Sequence, residues 1–87
     1  MGYPNSVSEV HVGAINTTLN APTGKSFFKF TVTGAGTYGV TSPNFYVNGT
    51  QDSDGYDLIL KEGQTIEGEY TSIVVPNTVG CAVIAYT

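Results

Sequence analysis

Apolar residues recur along this chain at spacing two, not at three and four, and the rhythm holds from one end to the other. β-Branched and aromatic residues dominate the apolar runs, while Leu is rare and Ala scattered. The pattern therefore predicts strands and no helix. The first strand falls over residues 8–15, with Val10 and Val12 facing one way and Glu9 and His11 the other. Residues 16–24 form a loop with Pro22 and Gly24 as breakers. The clearest strand is 26–33, where Phe28, Phe30 and Val32 share one face and Phe27, Lys29 and Thr31 the opposite one.

Gly34-Ala35-Gly36 turns the chain into a strand over 37–41, with Tyr38 and Val40 inward and Ser42-Pro43 as its stop. A strand at 44–47 ends in Asn48-Gly49, a tight-turn dipeptide. Residues 50–55 are polar and acidic and read as a surface loop. The strand at 56–61 sets Leu58 and Leu60 on one side and closes at Glu62-Gly63. Over 64–70, Ile66, Gly68 and Tyr70 share a face and Glu67 and Glu69 are exposed. The chain then bends near Thr71-Ser72 and runs on through Ile73, Val74 and Val75 to Pro76. After a turn at 77–80, the last strand, 81–86, is apolar on both faces, which places it at a sheet centre or under a partner.

Seven or eight short strands at intervals near ten residues predict an all-β fold, a compact antiparallel sandwich or small barrel. One domain spans 1–87, with residues 1–12 as an extended N-terminal arm. The expected core is Val10, Val12, Phe28, Phe30, Val32, Val40, Phe45, Val47, Leu58, Leu60, Ile66, Ile73, Val83 and Ile84.

Composition adds a reason to look for partners. Ten of the 87 side chains are charged and none is arginine, where an average soluble domain is about a quarter charged. A chain this short buries only about 60–65% of its unfolded surface, so contacts between subunits are an expected supplement. The net charge is −4, and Lys25, Lys29 and Lys61 are too few and too scattered to displace phosphate counterions. Nucleic acid is not an expected partner. No run approaches the ~20 apolar residues of a membrane span, and residues 1–5 lack the basic and apolar regions of a signal peptide. Cys81, the one cysteine, sits among Gly80, Ala82 and Val83 and reads as a small core residue.

Candidate chemistry is sparse. Asp52-Ser53-Asp54-Gly55-Tyr56-Asp57 resembles the opening of a calcium loop, yet Asp57 and Gly63 occupy the positions where such a loop needs Gly and Glu. Ordinary turn chemistry explains the cluster, and no metal or cofactor is expected. His11 stands without a second metal ligand or a nucleophile nearby in sequence. Glu67 and Glu69 point the same way from one strand and do not straddle a substrate as paired glycosidase carboxylates do. They read as charges that discourage edge-to-edge pairing. No catalytic set is visible, so a non-enzymatic role is expected. The aromatics are more informative. Those outside the core mark interfaces, and the expected contact residues are Tyr3, Val10, Val12, Phe27, Tyr46 and Tyr86.

The stretch Gly63-Gln64-Thr65-Ile66-Glu67-Gly68-Glu69-Tyr70-Thr71-Ser72-Ile73-Val74-Val75, followed by Val83-Ile84-Ala85-Tyr86-Thr87, resembles small virion proteins of tailed bacteriophages. It has their Gly-led strand, an I-x-G-x-Y-T-S-I strand and a short terminal strand closing on Ala-Tyr. Chain length suits the head decoration, or cement, type. The resemblance implies a homotrimer on the capsid surface of the virion, made in the host cytoplasm and bound to the major capsid protein or another virion protein. It brings no catalytic residue, nucleic acid or membrane. The alternative is a fibre or tail-tip subunit, or a module recognising a carbohydrate or receptor through Tyr46, Tyr56 and the acidic loop.

Overall fold

Period-two patterning resolves into ten strands in the computed structural model, which describes residues 9–52 and 55–87. They are β1 (Val10–Gly13), β2 (Thr18–Asn20), β3 (Phe27–Val32), β4 (Gly36–Thr41), β5 (Tyr46–Val47), β6 (Thr50–Gln51), β7 (Tyr56–Leu60), β8 (Thr65–Tyr70), β9 (Ser72–Val74) and β10 (Val83–Tyr86). Among the described residues there is no helix. Every strand pairing is antiparallel. Tyr3 and most of the expected N-terminal arm lie outside the described residues, as do Ser53 and Asp54 of the acidic loop.

Two four-stranded sheets face each other, in the orders β1-β10-β3-β8 and β2-β9-β4-β7, with β5 and β6 forming a separate hairpin. Neither sheet closes on itself, so the fold is a sandwich and not a barrel. Leaving out the hairpin and counting the eight sandwich strands in chain order, the sheets read 1-8-3-6 and 2-7-4-5, the strand order of a jelly roll. Nearly every connection crosses from one sheet to the other; the chain stays in one sheet only from β4 to β7. The bend at Thr71 is one such crossing, between β8 and β9. The last strand is central, between β1 and β3, which explains why both its faces are apolar.

Two strands lie where loops were expected. β2 falls within 16–24, anchored on β9 through Leu19 opposite Ile73, and β6 is the short return of the Asn48-Gly49 turn. Asn48 and Gly49 both take positive φ, 52° and 84°, as a two-residue hairpin turn requires.

Facing side chains of the two sheets form the core: Phe27, Phe30, Val32, Tyr38, Val40, Leu60, Tyr70, Ile73, Val75, Cys81, Val83 and Ala85 are buried. Phe45, Leu58 and Ile66 pack against this cluster from its margin. Three expected core residues are instead exposed. Val10 and Val12 are 59% and 66% exposed, because Gly13 and His11 pair with the inward Val83 and Ala85 and so take the inner face of β1. The His11 ring meets Phe27 edge-on, with centroids 5.4 Å apart. Phe28 is 45% exposed while Phe27 is fully buried, the reverse of strict alternation counted from Phe30. The cause is a register shift. Phe27 pairs with Tyr70 and Lys29 with Glu67, so two steps along β3 match three along β8. Ile84 also leaves the core, turning to the outer side opposite Val12.

Candidate interaction surface

Antiparallel register assembles one exposed apolar strip from three strands. Val10 lies opposite Tyr86 and Val12 opposite Ile84, across β1 and β10. Tyr86 in turn lies opposite Lys29, and Ile84 opposite Thr31, across β10 and β3. Directly opposed side chains on one face stand about 4.5–5.5 Å apart at Cβ, within contact. Phe28 joins them at the shifted end of β3, its ring centroid 6.3 Å from that of Tyr86. The Lys29 ammonium lies over both rings, 5.2 Å from the Tyr86 centroid and 6.0 Å from that of Phe28. This cation–π placement sets one positive charge over the aromatic end of the strip.

Three of the expected contact residues, Val10, Val12 and Tyr86, are thus brought together on the outer face of one sheet. Tyr46 is exposed but belongs to the separate hairpin. Phe27 is the correction: with no exposed surface, it is a core residue, and Phe28 takes its place on the face. Ile84 and Phe28 were missed as surface residues because both sat on the expected inner set. Only the pairings of β10 and the register break on β3 move them outward.

The two outer strands of this sheet are β1 and β8. Glu67 and Glu69 both lie exposed on β8, where charge opposes strand addition. Asn44 Nδ2 donates to the Glu69 carboxylate, which also receives the Ser26 hydroxyl at 3.5 Å.

A second cluster gathers at the open end of β1. The Glu9 carboxylate meets Lys25 Nζ at 3.1 Å, the Thr87 hydroxyl at 3.1 Å and His11 Nε2 at 3.3 Å. The Lys25 ammonium bonded to it, aided by the Thr87 hydroxyl, holds the Glu9 carboxyl below its ordinary value. Carboxylate, imidazole and hydroxyl together invite a catalytic reading that sequence spacing did not offer. The geometry answers it: Glu9 and Thr87 both face the same ring nitrogen of His11. A proton relay needs the acid on one imidazole nitrogen and the nucleophile on the other. The cluster instead ties the chain end to β1, together with the bond from the Thr87 amide to the Glu9 carbonyl at 3.1 Å. Among the described residues, no three of His, Cys, Asp and Glu are placed to hold a metal ion.

No family model, curated protein or solved structure matches this chain.

Proposed function

We propose that this chain is a non-enzymatic structural protein of a phage virion, a capsid decoration subunit that associates with copies of itself and with the shell. The observation that carries the reading is the coherent strip of Val10, Val12, Ile84, Tyr86 and Phe28 on one sheet face. Monomeric surfaces seldom gather aliphatic and aromatic side chains in this way unless another surface covers them. Jelly rolls recur in viral capsid domains among others, an analogy of architecture that assigns no activity by itself.

Magnitudes favour an array over an isolated complex. Burying one such side chain fully yields about 1.5–3 kcal/mol, against an association cost of about 4–15 kcal/mol. A few half-exposed residues therefore hold weakly as a single contact and firmly when many subunits share a lattice. The scarcity of charge on the chain fits the same role, since little ionic desolvation opposes close packing.

Sedimentation analysis of the full chain tests this. Wild type associates, with the trimer as the expected species, and co-sediments with empty heads of its phage. Val12→Lys with Phe28→Ser gives a folded monomer that stays in the supernatant. A wild-type chain that remains monomeric and unbound at every concentration overturns the proposal.

A further inference from the structure

The other sheet carries a feature of a different kind, an open strand edge. The outermost strands of the two sheets are β1, β8, β2 and β7. β1 belongs to the apolar strip, β2 is three residues long, and β8 has its register shift and its glutamates. β7 pairs with β4 at all five of its positions without a break. Asp57 and Ile59 lie on its outer face, opposite Gly39 and Thr37, and alternation carries the same face on to Lys61. Ile59 is 85% exposed. The Ala21 amide donates to the Thr71 carbonyl at 2.9 Å, and the Val75 amide to the Thr17 carbonyl at 2.8 Å. Main-chain groups alternate sides along a strand, so Ile73 turns its own to β2 while Ser72 and Val74 turn theirs to β4. Opposite them, Thr41 and Gly39 face β9, which leaves Val40 and Tyr38 to bond Tyr56 and Leu58 of β7. The amides and carbonyls of Asp57 and Ile59 therefore point to the free edge.

We propose that a second copy of this chain adds its β7 to this edge, antiparallel about a two-fold axis through Ile59. Asp57-Leu58-Ile59-Leu60-Lys61 is its own complement in that direction. Ile59 meets Ile59 of the second copy, Leu58 meets Leu60, and Asp57 meets Lys61 on both sides of the axis. Asp57 and Lys61 are exposed, and among the described residues no ion pair or side-chain hydrogen bond engages either charge. Ile59 exchanges its amide and carbonyl across the axis, as a hydrogen-bonded antiparallel pair does. In strand addition the main chain supplies affinity and the side chains select the partner. A foreign strand would take the main-chain bonds only, whereas a second β7 also matches both charges and covers Ile59. Both copies use the same patch, so the contact closes as a dimer and joins two four-stranded sheets into one. One short edge holds weakly as an isolated pair, with a dissociation constant of about millimolar order. It lies on a different sheet from the apolar strip and is independent of it. Where both operate, the edge links strip-bound assemblies to one another.

Disulfide trapping of the full chain tests this, in a background of Val12→Lys with Phe28→Ser that silences the strip. Hydrogen-bonded partners across an antiparallel pair have Cα atoms about 5.5 Å apart, within the roughly 4.4–6.8 Å that a disulfide spans. The native Cys81 is buried. Under mild oxidation Ile59→Cys should link to its counterpart at least about tenfold faster than Asp57→Cys, whose two copies stand out of register. Adding Asp57→Lys should slow the Ile59→Cys link about tenfold, by setting like charges across the axis, and adding Lys61→Asp as well should restore it. These positions are exposed, and circular dichroism verifies the fold of each variant. An Ile59→Cys link no faster than that of Asp57→Cys overturns the proposal, as does a rate unmoved by Asp57→Lys or unrestored by the double exchange. Loss of the link with wild-type sedimentation unchanged counts only against the edge contact. A strip that fails to associate while the link persists counts only against the assembly proposed above.

Discussion

Tyr38 concentrates the residue-scale chemistry of the core. It is fully buried, yet its hydroxyl is satisfied, donating to the Gly34 carbonyl at 2.8 Å. Burial, then the neighbouring Cys81 thiol, pushes its ionisation up to about 12. An unfolded tyrosine ionises near 10. The native state thus binds its proton more tightly than the unfolded state, so this contribution is complete below about pH 10 and is lost as pH rises towards about 12. Burial raises Tyr70 in the same direction. Urea midpoints should therefore hold level to about pH 10 and fall above it, less steeply in Tyr38→Phe. At neutral pH that variant should lose about 1 kcal/mol, since the Gly34 carbonyl is left without its donor. An unchanged alkaline limb in Tyr38→Phe would contradict this assignment. The inward direction of Tyr38 was legible from alternation, whereas its hydroxyl partner was not, because Gly34 is not on its strand.

At the scale of elements, the irregular pairing of β3 with β8 decides which aromatics are core. Gly68 sits at that irregularity with φ of 154°, and the Tyr70 ring covers it. A Cβ there would lie 2.9 Å from the Tyr70 hydroxyl oxygen, whose hydrogen goes to the Glu67 carbonyl. Gly68→Ala should cost about 1–3 kcal/mol from backbone strain of this class, read as a lower urea midpoint. A midpoint equal to wild type would mean that the shifted register is not held by this glycine. The Asn48-Gly49 turn was readable because its requirement is local: two successive residues at positive φ. The register shift was not, because it depends on two strands about forty residues apart fitting together around a ring.

For the whole molecule, the distinguishing feature is that its apolar residues divide between a closed core and an open strip. Val12→Lys separates the two roles. At a site 66% exposed, the substitution should change monomer stability by no more than about 0.5 kcal/mol, while removing self-association in sedimentation. Salt offers a second check on the same surface. Exposed ion pairs weaken as ionic strength rises above about 0.1 M, whereas apolar burial does not. Association through the strip should therefore persist, or tighten, in high salt, and dissociation on adding salt would point to a charged contact instead.

Sequence by itself determined the all-β class, most strand positions, the two apolar faces of the last strand and the inward set Phe30, Val32, Tyr38, Val40, Leu60, Ile73 and Val83. Each follows from local period-two patterning and turn chemistry, which need no knowledge of neighbours. Tertiary structure alone decided which face of β1 is outward, whether Phe27 or Phe28 is buried, and that Gly39 separates Val74 from Asp57. Alternation sorts a strand into two faces but does not label them; the strand beside it does, through register. The same dependence brings Val10, Val12, Ile84, Tyr86 and Phe28 into one surface from three separate parts of the chain.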